Sequence, residues 1–500
     1  VHSIFFSSLR QLNSPMSTKV LWLLFAILVV AKILFTFASA VAPDEAYYWT
    51  WSQNLTWSYY DHPPLNAWLI AITDFVFGTN IVGLRAGALL SFAGTLYIMY
   101  LFAARFAPEN KQNAFLLSAV VFLASPTLFV WTTIVYNDHL LIFLSLAAAY
   151  CFCDYLARYL ENTRTGVGFL YGGAALLGFA ALTKYNAAFM GVAVALLVLM
   201  HPKLRRLLAG PHIYAAGLLT ISILAPVLIW NIGNEFASFE LHLSTRYGGN
   251  FVQYFHAATF ARYIFSTLLF FGPFLIVPLI ALFLPMKSTD NFTSIAKWLF
   301  RAVIVVSLAT FTLFSARGTV QWYWSDVSYA LMILFAFTLI QRSWLVWAHV
   351  LTSMIFLGFG AFSYSVMPYE YLSGQENKGI ARMHGWEQVA TKTNELISLN
   401  IGAFMGTTGY PTAGQLSYFM DSTDVYDLTN QVSHFDFVDR KSLPAGSAAI
   451  ILHDHFGHMD DVAPKFEKMT KIDEITIERL GIELFKYEFY LGEGFKALDD

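Results

Sequence analysis

Residues 20–65 read VLWLLFAILVVAKILFTFASAVAPDEAYYWTWSQNLTWSYYDHPPL, a membrane-length apolar run followed at once by two acidic clusters set among aromatic rings. A helix of about 20 apolar residues crosses a bilayer core of roughly 30 Å. A carboxylate just beyond such a run can stay partly dehydrated and act at the membrane surface, whereas deeper in lipid it would be very costly. The stretch therefore reads as a span that delivers acids to an interface.

The rest of the chain repeats the first half of that pattern. Hydrophobic residues make up 57% of the 500, aromatics 17% and charged residues only 13%, with a mean hydropathy of +0.54, far from the soluble average. Apolar runs without strict alternation argue for helices and against a barrel. They fall at about 20–40, 84–106, 113–133, 139–160, 166–183, 186–201, 212–231, 259–285, 298–316, 321–341 and 344–364, so the expectation is an all-α polytopic membrane domain of about 11 or more transmembrane helices over 1–364. Arg10, Lys19, Arg105, Lys111, Arg158, Arg164, Lys203, Arg205, Arg206, Lys287, Lys297, Arg301 and Arg342 then fall on one side, which the positive-inside rule makes cytoplasmic. The loops 41–83 and 232–258 and everything beyond about 365 lie on the outer face. The first span, followed by Pro43-Asp44-Glu45 rather than a small-residue cleavage site, reads as a retained anchor.

From about 365 to 500 the composition turns soluble, and a small α/β extracytoplasmic domain is expected. Arg382–Ile397 and Thr412–Met420 read as helices, Ile401–Thr407 and Ala448–His453 as strands, and Ile482–Phe495 as a terminal hairpin. Cys151 and Cys153 sit in one apolar span and, at successive helix faces, cannot easily pair. A net charge of −3 without a basic patch gives no support for nucleic acid as a partner.

The chemistry concentrates in the first outer loop. Asp44 and Glu45 open a segment whose aromatics recur at helical spacing, either as an interfacial helix with functional acids or as a simple N-cap. Asp61-His62-Pro63-Pro64 comes next, where two prolines impose an extended backbone and give Asp61 a fixed direction; a plain structural turn is the alternative. Outer cations are scarce. Lys184 either binds an anion or snorkels to the interface, Arg246 stands beside Gly248-Gly249 on a loop, and Arg317 precedes the run Trp322-Tyr323-Trp324 at an aromatic belt. Asp138 opens the fourth span from the outer side, as a site residue or a helix cap. His453, His455 and His458 with Asp454, Asp460 and Asp461 match no firm zinc spacing, and no metal is assigned to them.

Asp44-Glu45-Ala46-Tyr47-Tyr48, Tyr60-Asp61-His62-Pro63-Pro64-Leu65 and Leu182-Thr183-Lys184-Tyr185-Asn186 resemble the polyprenyl-phosphate-dependent C-type (GT-C) membrane glycosyltransferases. The nearest pattern is that of the lipid A aminoarabinose and lipopolysaccharide galacturonic acid transferases, and more distantly that of the protein O-mannosyltransferases. Looser similarity runs through Ser125-Pro126, Asn137-Asp138, Gly272-Pro273 and Arg382–Trp386. One departure is clear: where the aminoarabinose transferases carry Glu-Lys-Pro, this chain has Asp61-His62-Pro63, so a lysine's phosphate contact does not pass unmodified to a His that is only fractionally charged near neutral pH.

The resemblance implies transfer of one sugar from a polyprenyl-phosphate donor to a glycolipid or glycan acceptor, lipid A or lipopolysaccharide, at the outer face of the cell inner (cytoplasmic) membrane. Asp44 is taken as the base for the acceptor hydroxyl or as an acid that orients the acceptor, and Asp61 as a second acid near the site, binding sugar hydroxyls, the acceptor or a divalent cation. Glu45, Tyr48, His62, Asp138, Lys184, Arg246 and Arg317 stand as substrate-binding candidates. No cofactor is required beyond a divalent cation, which is left open. A protein acceptor and a lipid or solute transporter are the alternatives; transporter sites usually lie on broken helices near the midplane rather than in an outer loop.

Overall fold

The computed structural model describes residues 16–162, 166–242, 256–285, 290–373, 379–438 and 443–496. The chain divides into two compact units, one of Val1–Thr36, His62–Leu65 and Ala88–Gly358, the other of Phe37–Asp61, Asn66–Gly87 and Phe359–Asp500.

The first unit is helical. Among the described residues five helices are long and apolar enough to span alone: Thr18–Ala38, Ile81–Phe106, Asp138–Leu160, Asn291–Ser315 and Ser343–Ser365. Two bent pairs bring the number to seven, and Val167–Ala181 and Tyr185–Met200 are shorter apolar segments; a third, Leu65–Phe77, falls in the second unit apart from its first residue. The breaks have covalent causes. Pro211–Ile223 meets Ala225–Gly233 at 46°, where Pro226 lacks the N–H needed to continue the ladder and crowds the carbonyl four residues back. Ala257–Phe271 turns 96° into Pro273–Phe283 through Gly272, whose φ of +110° and approach to His349, 2.4 Å from where a Cβ would sit, admit only glycine. The expected span 113–133 is interrupted at Ser125-Pro126 into Lys111–Ala124 and Pro126–Trp131, and that at 321–341 contributes Asp326–Ile333 and a four-residue piece.

Asp138–Leu160 is the axis of this unit, 83% of its apolar window buried. Near one end Phe102 and Phe106 pack on Phe292, Phe300 and Phe335, with Phe106 stacked on Phe335 at 4.3 Å. There Asp154 accepts from Arg105 at 2.9 Å and also pairs with Arg158 one turn on. Lys32, fully buried on the first helix, donates to Phe129 O (2.9 Å), Thr132 Oγ1 (3.0 Å) and Thr133 Oγ1 (2.6 Å). Its ammonium lies 4.6 Å from the Phe92 ring and 5.1 Å from that of Phe129. A cation here caps the carboxyl end of the short helix Pro126–Trp131, where carbonyls lack intrahelical partners.

The second unit holds a five-stranded sheet of β1 (Phe404–Thr407), β2 (Val425–Asp427), β3 (Ala449–His453), β4 (Phe466–Arg479) and β5 (Ile482–Phe495), in the order β2-β1-β3-β5-β4. The first three are parallel and β5 runs antiparallel to both neighbours. Ala449, Ile451, Val462, Phe466 and Phe495 form one side of its core. The expected helices and first two strands are present as Trp386–Leu399, Tyr410–Met420, β1 and β3. The expected hairpin inside Ile482–Phe495 is instead a single strand, paired with the unforeseen β4 through Leu480 and Gly481, both at positive φ as a two-residue hairpin turn requires. β4 is heavily charged and carries irregularities at Lys471/Asp473 and Ile477/Glu478, which break the alternation that marks a strand.

Of the loop 41–83, residues 41–61 and 66–83 group with this second unit and His62–Leu65 with the first. Helix Pro43–Gln53 lies against helix Tyr410–Met420, where Gly414 comes so near that a Cβ would stand 3.1 Å from the Tyr47 backbone. Gln415 Nε2 donates to Val41 O at 2.8 Å, and Trp49 meets Tyr418 edge-on at 5.6 Å.

Candidate active-site residues

Pro43 occupies the first turn of helix Pro43–Gln53, where its missing N–H costs nothing and its fixed φ favours the helix. Asp44 and Glu45 come next in the same turn, and their fates differ. Asp44 keeps partial access to solvent. Glu45 is completely buried: Oε2 accepts from the Ala42 N–H at 3.0 Å and from Arg85 Nη2 at 2.6 Å, and Oε1 from Arg85 Nε at 2.8 Å. Arg85, equally buried, also donates to Ser39 Oγ (2.8 Å) and Ala40 O (3.0 Å). A bidentate guanidinium–carboxylate fork with its remaining donors satisfied is the form in which a buried pair is tolerable. Proposed as a substrate ligand, Glu45 here has no exposed face, and its contacts fix the helix that carries Asp44.

Asp61 is held by a phenol. Tyr47 Oη donates to Asp61 Oδ2 at 3.0 Å and accepts from the His434 backbone N–H at 2.6 Å. Burial, and then the charge of Asp61, push the Tyr47 hydroxyl well above its ordinary value, so it remains protonated and a donor at any physiological pH. Around this bond Trp51 stacks on Tyr59 at 4.8 Å and 10°, the Tyr59 hydroxyl donates to Trp51 O at 3.0 Å, and the His434 ring meets both edge-on at 5.6 and 4.7 Å. Tyr48, another proposed substrate contact, is 5% exposed and packs on Trp51 at 4.7 Å. It is part of the frame. Asp74 ties the helix down from Leu65–Phe77 by accepting from Trp49 Nε1 and Gln53 Nε2, each at 3.2 Å.

Within the helical unit a second polar group forms. Asp138, 1% exposed at the start of its helix, accepts from Lys184 Nζ at 2.6 Å. The ammonium lies 5.0 Å from the Tyr323 ring, and the fully buried Asp326 faces both Asp138 and Lys184. Lys184 thus does not snorkel; it is shared by two carboxylates. His62 sits 6.1 Å from His242, which meets Tyr185 edge-on at 5.0 Å. Arg317 is exposed just past Asn291–Ser315, and Arg246 lies outside the described residues.

In the sheet-bearing unit Asp454 is buried and bound to Arg382 (3.0 Å), Thr412 Oγ1 (2.8 Å) and the Phe456 N–H (2.9 Å). His453 pairs with Thr408 Oγ1 at 2.9 Å. Among the described residues no group of three or more His, Cys, Asp and Glu is placed to hold a metal ion. Sequence reading missed Tyr47, His434, Arg85's pairing and Asp326; of these only Asp326 left a usable signal, an acid within an apolar run, which is expensive unless it has a purpose.

Comparison with known proteins places these residues in a context. Residues 61–230 match the model of the dolichyl-phosphate-mannose-protein mannosyltransferase family. Lipid A galacturonosyltransferase RgtD of Rhizobium johnstonii is 29% identical over 194 residues, 38% of this chain and 38% of its own length; the chain thus aligns with about two fifths of that relative. Crystal structures of ArnT from Cupriavidus metallidurans superpose on 95% of this chain and 98% of their own, with a TM-score of 0.61 and 15% identity for the form bound to undecaprenyl phosphate and 0.58 and 12% for the apo state. The fold is therefore the ArnT fold, and the resemblance to the C-type glycosyltransferases drawn from the loop motifs stands.

Proposed function

We propose that this chain is an integral membrane glycosyltransferase that moves a single sugar from a polyprenyl-phosphate carrier to an acceptor on lipid A or lipopolysaccharide, at the outer face of the bacterial inner membrane. The observation that carries the reading is the frame around the acids, which fixes the direction of Asp61 through a buried phenol and the position of Asp44 through the Glu45–Arg85 pair. Precise placement of carboxylates at a membrane surface is what activation of an acceptor hydroxyl needs. The mannosyltransferase match, a relative whose name specifies lipid A, and an ArnT crystal that holds undecaprenyl phosphate support the donor and acceptor classes.

The reaction balances without a covalent enzyme intermediate. The acceptor hydroxyl oxygen attacks the anomeric carbon as its proton passes to the Asp44 carboxylate. The bond from that carbon to the phosphate oxygen breaks, and polyprenyl phosphate leaves with the electron pair. Phosphate is a good leaving group, so the chain's tasks are a base, alignment and positive charge. Asp61, which accepts from Tyr47, is assigned to orienting sugar or acceptor hydroxyls. Lys184, Arg246 and Arg317 are the cations assigned to the phosphate, and Asp138 and Asp326 also draw on the Lys184 charge.

The test is mass spectrometry of envelope glycolipids from matched cells carrying the chain, its Asp44→Asn or Asp61→Asn form, or neither. A sugar-sized increment confined to the unaltered chain, and reduced by roughly 10²-fold or more in Asp44→Asn, is expected. An increment that persists in Asp44→Asn removes Asp44 as base; no increment in any glycolipid overturns the acceptor class.

A further inference from the structure

The helical unit contains a cavity of about 260 Å³ lined by Tyr155, Arg158, Tyr159, Arg206 and His212 and by backbone at Gly166 and Gly210. Arg158 and Arg206 in its lining are among the basic residues that the sequence reading puts on the cytoplasmic side, and the proposed transfer reaction makes no use of the cavity. We propose that this cavity binds the phosphate headgroup of an anionic phospholipid of the cytoplasmic leaflet.

Charge is the first argument. Arg206 is exposed and has no acidic partner among the described residues. Arg158 pairs with Asp154, which also serves Arg105, and Glu161 adds to the field at Arg158; the described lining holds two guanidinium groups and no carboxylate. The lining thus carries surplus positive charge beside phenolic and imidazole groups that hydrogen-bond phosphate oxygens. His212 Nδ1 is engaged by the Tyr171 hydroxyl at 3.0 Å, which orients the ring.

The backbone adds to this. Helices Val167–Ala181 and Pro211–Ile223 both begin at the cavity, after Gly166 and Gly210, and neither has a side-chain cap. Pro211 has no N–H to offer, and the starts of both helices carry the positive end of the helix dipole.

The apolar surface decides between a lipid and a soluble anion. From the cavity wall at Ile213, helix Pro211–Ile223 carries Tyr214, Leu218 and Ile221 on one stripe, exposed by 62%, 64% and 67%. Spaced at i, i+4 and i+7, they form a continuous track along the helix, suited to acyl chains descending from a headgroup. A soluble phosphate has no use for such a track. Basic pockets between membrane helices on the cytoplasmic side are suited to acidic headgroups for the same electrostatic reason.

The experiment is native mass spectrometry of the full chain in neutral detergent, titrated with phosphatidylglycerol, with phosphatidylcholine of identical acyl chains, and with inorganic phosphate as competitor. Phosphatidylglycerol should be retained at least about tenfold more tightly than phosphatidylcholine. Each lost cation near a headgroup should weaken it by roughly fivefold, so Arg206→Gln should show that loss, Arg206→Gln/His212→Gln a larger one, and Arg206→Lys most of the parent affinity. Equal retention of the two lipids, or affinity unchanged in the double variant whose thermal unfolding matches the parent, overturns the proposal. Displacement of phosphatidylglycerol by millimolar phosphate would assign the cavity to a soluble anion and overturn the lipid.

Discussion

Replacing Glu45 by Gln tests whether the buried fork is what positions the acidic turn. The substitution leaves the Arg85 guanidinium charged in a site with no access to water, and stranding one partner of a buried pair costs about 3–5 kcal/mol. The Ser39 and Ala40 oxygens remain as acceptors for Arg85, which puts the expectation at the lower end, about 3 kcal/mol. Arg85→Met is worse, because it strands the carboxylate and leaves Ser39 O and Ala40 O without their donor. The double variant Glu45→Gln/Arg85→Met removes both charges and should recover part of the loss, so the coupling in the cycle is large and positive. For a folding unit of 150–250 residues, roughly 2–4 °C accompanies each kcal/mol, so Glu45→Gln should lower the thermal midpoint of the purified protein by about 6–12 °C. The assay is thermal unfolding in detergent on all four forms, with lipid-linked sugar transfer measured in parallel at a temperature where each is folded. Single variants within 2 °C of the parent, or a double variant that equals the sum of the singles, would refute the argument that the fork is an indivisible unit.

Lys32→Met should be nearly neutral, within about 2 kcal/mol, because Thr132 and Thr133 keep their bonds to Leu128 O and Phe129 O; Lys32→Glu should abolish accumulation of folded protein, and a stable Glu variant by fluorescence size-exclusion chromatography would contradict this. Lys184→Met leaves Asp138 and Asp326 facing one another and should destabilise by about 3–5 kcal/mol, with Asp326→Asn in the same background restoring part of it in a melting assay; no restoration means the two acids do not share the lysine. His384, whose Nδ1 accepts from Arg479 at 2.8 Å, is lowered to about 4 by burial and then by the Arg479 charge. A depressed base stabilises above its unfolded value near 6.5 and loses that contribution as pH falls through 4. Asp427, raised to about 6 chiefly by burial, acts oppositely, contributing stability below its unfolded value that is lost as pH rises through 6. The two nearly offset in the parent, so the measurement is the difference between parent and His384→Asn melting curves from pH 7 to 4: the parent should lose about 2–3 kcal/mol relative to the variant, and parallel curves would dismiss the histidine.

The apolar helices and most of the terminal α/β elements were legible because each rests on local pattern: length of apolar run, periodicity, alternation. The features that escaped depend on partners far along the chain. Nothing near Tyr47 announces that its hydroxyl meets the backbone of His434, and Glu45 reads like an ordinary first-turn acid until Arg85 is seen to grip it. Helix breaks at Pro226 and at Gly272-Pro273 turned two apolar runs into bent pairs, and Pro126 interrupted a third, because window averages respond to composition and not to a missing N–H. The strand β4 was hidden by its charges and bulges, its pairing being settled by the turn at Leu480-Gly481 rather than by its own sequence.

The discontinuity of the sheet-bearing unit sets an order of events at the ribosome. Phe37–Asp61 and Asn66–Gly87 emerge first and can close the Glu45–Arg85 fork between themselves, yet Tyr47 has no His434, and Val41 no Gln415, until translation has passed Phe359 and reached the outer sheet. At roughly 5–20 residues per second that interval is on the order of tens of seconds. Throughout it the acids hang on an unfinished frame, with a loop-closure cost that only the last segment repays. A chain interrupted before its sheet is complete would carry every residue of the acidic motif, with the Tyr47 hydroxyl that donates to Asp61, and still lack the His434 N–H that holds that hydroxyl in place.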